Sequence, residues 1–83
     1  MSSCEMHFPE YNARMNRGLI RWELFLHPEV RDVLLTSRED TLRVVFRGPT
    51  NADAWAATLN EAGFPAPVFG SAVATAREGI AAF

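Results

Sequence analysis

Apolar and polar residues alternate at the start of the chain. Cys4, Met6 and Phe8 fall on one face of an extended segment, and polar residues stand between them. This alternation predicts a short strand over residues 4–8 that is buried on one face. Pro9 ends the strand, because proline is well placed just before or within the first turn of a helix.

Helical periodicity follows over residues 10–27. We predict an amphipathic helix that ends at Pro28 and packs its apolar stripe, including Trp22, against the core. Gly18 costs this helix about 1 kcal/mol relative to alanine, which indicates a central turn that is either closely packed or loosened. A strand over residues 19–26 is the alternative. The stripe recurs at intervals of four, four, three and four residues: Tyr11, Met15, Leu19, Trp22 and Leu26. Ile20 and Phe25 widen it.

Two β-branched and aliphatic runs, residues 30–37 and 41–47, flank a short polar connection. This pattern predicts a β-hairpin. In its second strand Leu42, Val44 and Phe46 alternate with other residues and are expected to face the core. The alternation also predicts that the intervening residues of this strand face away from the core.

The first strand of the hairpin fits two registers. Either Val33 with Leu35, or Leu34 alone, faces the core, and a slip of one residue exchanges the two faces. The face turned away from the core, which we call the outer sheet face, combines arginine with aliphatic side chains: Arg43, Val45, Arg47 and Leu34.

A second helix is predicted over residues 52–62. Trp55 and Leu59 stand four residues apart and are expected on its buried face. Gly63 occupies the position of a helix C-cap, where glycine is favoured because it adopts a left-handed conformation without steric cost.

Residues 64–69 contain two prolines and predict a short edge strand. The order β-α-β-β-α-β with short connections predicts an α+β, ferredoxin-like sandwich, in which one antiparallel sheet carries two helices on one face. A chain of 83 residues that is 48% hydrophobic makes one such domain. We assign residues 1–70 to it and residues 71–83 to a C-terminal appendage, either helical or loose.

Two stretches resemble the second half of a heavy-metal-associated domain, the fold of copper chaperones: residues 27–48 (HPEVRDVLLTSREDTLRVVFRG) and residues 54–64 (AWAATLNEAGF). The resemblance implies a ferredoxin-like fold and, as a function, a soft-metal carrier. The family's Cys-x-x-Cys metal loop falls on Asn12 and Met15, so this chain lacks both thiolates of that loop.

Composition narrows the classes of function. The formal net charge of −2 argues against a protein whose main role is to bind phosphate backbones. All eight basic residues are arginine, which we interpret as the codon bias of a GC-rich bacterial or phage gene. A single cysteine, the lack of a signal-peptide pattern and the lack of a long apolar run predict a cytoplasmic protein without a membrane span.

Three sulfur-containing side chains are candidate ligands of Cu(I): Cys4, Met6 and Met15. The alternative is that Cys4 and Met6 are ordinary core residues of the first strand. We favour this alternative and predict neither a bound metal nor a cofactor.

The sequence contains no glycine-rich phosphate loop, nucleophile elbow or metal-binding helix motif. His27 is either a residue that interacts with the dipole at a helix C-terminus or a general base oriented by Glu23 or Glu29. We favour the first interpretation and predict no catalytic residue.

The outer sheet face has three interpretations. Arginine beside exposed aliphatic side chains is typical of a protein interface. RNA binding on such a face needs stacked aromatic side chains, which the predicted face lacks. In the third interpretation the arginines pair with Asp32 or Glu39 on a solvated surface.

These observations favour a non-catalytic protein-binding, assembly or regulatory module. We expect it to bind a partner protein or itself, as a homodimer formed through Arg43, Val45, Arg47 and Leu34, and to bind neither nucleic acid nor membrane. Two alternatives stay open: a Cu(I) carrier related to metallochaperones, and a small ligand-binding domain or enzyme with a pocket between the helices and the C-terminal segment.

Overall fold

The computed structural model describes residues 1–74 as an α+β domain. In chain order its elements are β1 (Ser2–His7), a 3-10 turn (Arg14–Asn16), α1 (Arg17–Leu24), β2 (Val30–Leu35), β3 (Thr41–Phe46), α2 (Ala52–Glu61), β4 (Val68–Phe69) and β5 (Val73–Ala74). The first helix begins later than predicted. Glu10 adopts a left-handed φ of 56° in the preceding turn, which a right-handed helix does not accommodate.

All neighbouring strands are antiparallel and lie in the order β2-β3-β1-β4. β5 pairs with β1 along the edge that β4 also uses. Both helices contribute to a single core on one face of this sheet. The arrangement confirms the predicted α+β class and is compatible with the ferredoxin-like fold.

The β2–β3 hairpin adopts one of the two registers that the sequence left open. Val33 is buried opposite Val44, whereas Leu34 lies opposite Arg43 on the outer sheet face. Leu35 shares the face of Val33 but stays half exposed at the strand end. The predicted alternation along β3 is confirmed, because its core-facing residues are buried.

Trp55 on α2 lies at the centre of the core. Its ring packs against Phe46 on β3, with the centroids 5.2 Å apart, and against Phe69 on β4, at 5.9 Å. The other buried apolar residues are Cys4, Met6, Phe8, Ala13, Ile20, Leu24, Val30, Val33, Leu42, Val44 and Leu59.

The orientation of α1 differs from the prediction. Ile20 and Leu24 are fully buried, so they form the inner row of the helix. The stripe predicted to face the core is instead largely in water, and Trp22 is not a core residue. Of that stripe, Tyr11 packs against the core and Ile20, which widens it, is buried there. The exposed residues are Met15, Leu19, Trp22 and Leu26.

Three arginines of the 3-10 turn and α1 reach the open edge of the sheet at β2. The first donates to the main-chain carbonyl of Thr36 at 2.8 Å. Arg17 donates to the carbonyl of Val33 at 2.9 Å, and Arg21 donates to the carboxylate of Asp32 at 2.9 Å. That carboxylate also accepts the N–H of Val33 at 2.8 Å. These contacts satisfy edge groups that a strand partner would otherwise pair with, and the arginines are Arg14, Arg17 and Arg21.

α2 ends as the sequence predicts. Gly63 adopts a φ of 99° and its N–H donates to the carbonyl of Asn60 at 3.1 Å. The N–H of Phe64 donates to the carbonyl of Leu59 at 2.9 Å. Together these two bonds form a Schellman motif, which requires a left-handed residue at the position of the glycine.

The predicted C-terminal appendage begins with a strand instead of a helix or a loose segment. Val73 and Ala74 form β5 against Ser3 and Ser2 of β1, where a helical or loose appendage was expected. The predicted edge strand over residues 64–69 is shorter than expected and is limited to β4. The rest of the predicted appendage lies outside the described residues.

The two rows of α1 give a matched test of this orientation. We expect Ile20→Ala to lower the free energy of unfolding by about 2–4 kcal/mol, because it leaves a cavity in the core. Leu19→Ala, one residue away, should change it by less than about 0.5 kcal/mol. Urea denaturation followed by circular dichroism measures both. Equal losses, or the larger loss for Leu19→Ala, would contradict the orientation.

Candidate functional site

The three sulfur-containing candidates lie in different environments. Cys4 and Met6 are buried side by side on the inner face of β1, whereas Met15 is 80% exposed on the 3-10 turn. Burial raises the pKa of the Cys4 thiol, with the nearby Arg43 acting in the opposite direction. A protonated, buried thiol is a poor nucleophile and a poor metal ligand. Within residues 1–74, no group of three or more His, Cys, Asp or Glu side chains is placed to hold a metal ion.

The guanidinium of Arg43 is paired within the chain. It donates to the carboxylate of Glu5 at 3.1 Å and to the hydroxyl of Ser3 at 3.2 Å, both on β1. The partner is therefore Glu5 rather than Asp32 or Glu39, the acids that the sequence suggested. Cross-strand pairs of this kind leave the centre of the outer sheet face polar and neutral.

The other three residues of the predicted interface on the outer sheet face differ in how exposed they are. Val45 is half-buried opposite Ser3, Leu34 is 40% exposed, and Arg47 is exposed beyond the end of β3. Among the predicted interface residues, Leu34 therefore offers the most accessible apolar surface. The interface predicted here stays a prediction.

A solvent-open depression of about 530 Å³ lies beside the β2–β3 turn. Arg38 and Asp40 in its lining pair with each other at 3.2 Å. Hydrogen bonds from Arg38 and from the Thr41 hydroxyl lower the pKa of Asp40 below its ordinary value. Arg38 and Asp40 thus neutralise each other, whereas the carboxylates of Glu10 and Glu39 leave the lining of the depression acidic. It is lined by Glu10, Tyr11, Asn12, Arg38, Glu39 and Asp40.

His27 joins the end of α1 to α2. Its Nε2 lies 2.7 Å from the hydroxyl of Thr58, and its Nδ1 lies 3.8 Å from Glu29 Oε2. The second distance is too long for a hydrogen bond, so Glu29 does not orient the imidazole as the partner of a general base must. The arrangement is a structural connection between two helices and the start of β2.

Glu29 accepts hydrogen bonds from two side chains of the second half of the chain. Asn51 donates at 3.0 Å and the indole N–H of Trp55 at 2.8 Å. The bond from Asn51, followed by a main-chain bond and the bond from Trp55, lowers the pKa of the Glu29 carboxyl. The Glu29 carboxylate thereby fixes the N–H edge of the Trp55 indole, whose ring lies in the core.

Among the described residues, a group of exposed large apolar side chains lies on and beside the side of α1 that faces water. We call it the α1 outer face, and it includes one residue of the 3-10 turn before the helix and one of the turn after it. Leu19 and Trp22 lie three residues apart on one side of α1. The members of the α1 outer face are Met15, Leu19, Trp22 and Leu26, with 80%, 62%, 76% and 72% of their surface exposed.

Two further large apolar side chains outside this row are also partly exposed. Phe25 lies beside it, with the guanidinium of Arg21 stacked 4.5 Å from its ring centroid. Leu35 at the end of β2 is also exposed. Gly18 on α1 is exposed as well, and a Cβ at this position would meet no atom within 4 Å. The α1 outer face is therefore apolar and open to water.

Comparison with models of protein families, with curated proteins and with solved structures finds no significant match to this chain. Among the described residues, no helix has the length and apolar character needed to cross a membrane.

The hydrogen bonds to Glu29 predict a pH dependence of stability. A carboxyl with a lowered folded-state pKa stabilises the fold above its unfolded-state pKa, and this contribution is lost as the pH falls through the folded-state value. We expect the free energy of unfolding to decline below about pH 4.5, and the decline to be shallower in Glu29→Gln. Urea denaturation between about pH 2.5 and pH 7 measures it.

Asn51→Ala is the matched control, because it removes one donor and keeps the carboxylate. It should give an acid decline between those of the wild type and Glu29→Gln. The decline that persists in Glu29→Gln is expected from Asp32 and Asp40, whose pKa values are also lowered. An identical decline in all three proteins would contradict this assignment.

Proposed function

We propose that the chain is a non-catalytic protein-binding module on a ferredoxin-like scaffold, and that it binds through the α1 outer face. The observation that supports this is the exposure of Met15, Leu19, Trp22 and Leu26 along α1 and the turns at its two ends, while the opposite side of the helix already fills the core. Single exposed apolar residues are normal, but a contiguous row marks an interaction surface.

The size of the surface fits a specific protein contact. Five apolar side chains contribute: the four of the row together with Phe25. Taking roughly 200 Å² as the full surface of a large side chain, their exposed fractions amount to about 660 Å². Specific interfaces bury about 800 Å² on each partner. Trp22, as a large aromatic side chain near the centre of the row, is the expected main contributor to affinity.

The surface is held in a fixed shape before a partner binds. Ile20 and Leu24 anchor the inner side of α1 in the core, and Arg17 and Arg21 hold its flank to β2. A preorganised surface loses less conformational entropy on binding. The outer sheet face is the less favourable alternative, because its central arginine, Arg43, is already neutralised by Glu5.

Photo-crosslinking tests this function in extract of the cells that make the protein. We replace Trp22 by p-benzoylphenylalanine, an aromatic side chain of similar size that forms covalent adducts with proteins it contacts. We expect a discrete adduct that excess unlabelled wild-type chain abolishes by competition. Excess Leu19→Glu chain should not compete, because it carries a charge in the middle of the row.

The matched control places the same photoreactive residue at Arg47, an exposed position at the far end of β3. This variant should give no adduct that the wild-type chain competes away. The proposed function is wrong if position 22 yields no adduct, or if Leu19→Glu competes as well as the wild type.

A further inference from the structure

Three arginines lie along the flank of α1 that meets β2. In chain order they donate hydrogen bonds to the carbonyl of Thr36, the carbonyl of Val33 and the carboxylate of Asp32. The series therefore runs antiparallel to the strand. Thr36 and Asp32 stand four residues apart, a distance of about 13 Å in an extended chain. We call these residues the arginine flank, and they are Arg14, Arg17 and Arg21.

Most of the positive charge of the arginine flank is not neutralised by the described part of the chain. Its one ion pair there joins Arg21 to Asp32 at 2.9 Å. Arg14 and Arg17 bond to main-chain carbonyls, which carry no net charge. Three guanidiniums and one carboxylate leave a net charge of +2 along this flank. Arg43 on the outer sheet face, by contrast, is paired with a carboxylate of its own chain.

The guanidiniums of this flank keep hydrogen-bond donors for a ligand. A guanidinium has five N–H donors in a planar fork that matches a carboxylate. Each member of the flank uses one of these donors on a group at the β2 edge. Arg14 is exposed, and 43% of the Arg21 side chain is exposed. Because the bonds to β2 already fix the side chains, a carboxylate that binds the remaining donors costs little further conformational entropy.

The arginine flank borders the α1 outer face along its length. Arg14 directly precedes Met15, and Arg21 directly precedes Trp22. The guanidinium of Arg21 also stacks 4.5 Å from the ring centroid of Phe25. An exposed apolar surface and a positively charged border are thus continuous with each other.

The other borders of this surface are acidic. Glu23 is the one acid of α1 and lies two residues after Arg21, about 200° around the helix from it. Beyond Arg14, the acidic depression begins with Glu10 and Glu39. The positive charge is therefore confined to the flank that meets β2. A partner with complementary charge has its carboxylates on that side alone.

We propose that the partner bound by the α1 outer face is an acidic segment of another protein, whose apolar side chains cover Trp22 and whose carboxylates bind the arginine flank. This inference rests on the proposed protein-binding function and names the chemistry of the partner. A helix with acidic residues at positions i, i+4 and i+8 places its carboxylates along about 12 Å. That length matches the arginine flank, which spans about 13 Å.

Other anionic partners fit this surface less well. The formal net charge of −2 disfavours a nucleic acid, whose phosphates carry charge along their whole length. Leu19 and Met15 offer no ring on which a base could stack. A strand added at β2 is also disfavoured, because the N–H and the carbonyl of Val33 are both already bonded.

Three synthetic helical peptides of about 18 residues test the chemistry of the partner. All carry leucine along one side, and they differ at three flanking positions, four residues apart, which hold glutamate, glutamine or lysine. By fluorescence anisotropy at about 50 mM NaCl, we expect the glutamate peptide to bind the full chain with a Kd at least about tenfold lower than that of the glutamine peptide. The lysine peptide should bind most weakly. The difference should shrink at about 500 mM NaCl, because salt screens the charges.

Arg14→Gln tests the arginine flank itself. Its bond to Thr36 is at the surface, so we expect the variant to stay folded, and urea denaturation verifies this. It should raise the Kd of the glutamate peptide at least about threefold and leave that of the glutamine peptide unchanged. Arg14→Lys, which keeps the charge, should restore most of the affinity. Arg47→Gln is the matched control, since it removes the same charge from the far end of β3, and it should change both values by less than about twofold.

The outcomes distinguish the two proposals. The acidic partner is wrong if the glutamate peptide binds no more tightly than the glutamine peptide, or if Arg14→Gln binds it as well as Arg47→Gln does. The protein-binding function survives that result if position 22 still gives the competed adduct, and fails if it does not. Tighter binding of a single-stranded DNA of about 20 nucleotides than of the glutamate peptide, lost in Arg14→Gln, would assign the flank to nucleic acid and overturn this inference.

Discussion

The contact between α1 and the β2 edge is the constraint on which the rest of the structure depends. Ile20 and Leu24 fix one side of the helix in the core, while Arg17 and Arg21 bind the main chain and side chain of β2. A rotation of α1 that buried Trp22 would break these arginine contacts and leave edge groups of the sheet without protein partners. The buried row and the flank that is bound to β2 therefore determine which row of α1 faces water.

Much of the fold follows from patterns that have only one interpretation. β3 alternates strictly, so Val44 can face only the core, and α2 has a single row of large side chains that includes Trp55. α1 has two apolar rows, and periodicity shows which residues share a row without showing which row meets the sheet. Arg17 is a charged residue on the same side of α1 as Ile20 and Leu24. Its long side chain extends past the core to the edge of β2.

The same geometry explains why the sheet is the less suitable place for association. The edge at β2 is occupied by guanidinium donors and by the carboxylate of Asp32, so a partner strand finds Val33 already satisfied on both its N–H and its carbonyl. On the outer sheet face Glu5 neutralises Arg43, a pairing that depends on cross-strand register and that spacing along the chain does not reveal. Because of these two features, the accessible apolar surface lies mainly on the side of α1 rather than on the sheet.

α1 spans only eight residues and contains a glycine, and a helix of this length is not stable in water by itself. Its conformation is imposed by the inner row and by the bonds to β2, which lie on the sides away from Trp22 and Leu19. Folding and the proposed binding through the α1 outer face thus depend on different residues of one short helix. The outer side of α1 can therefore carry an exposed indole, Trp22, and a helix-weakening glycine, Gly18, because the fold does not depend on either residue. This separation lets so small a domain present a rigid apolar surface without using its core to do so.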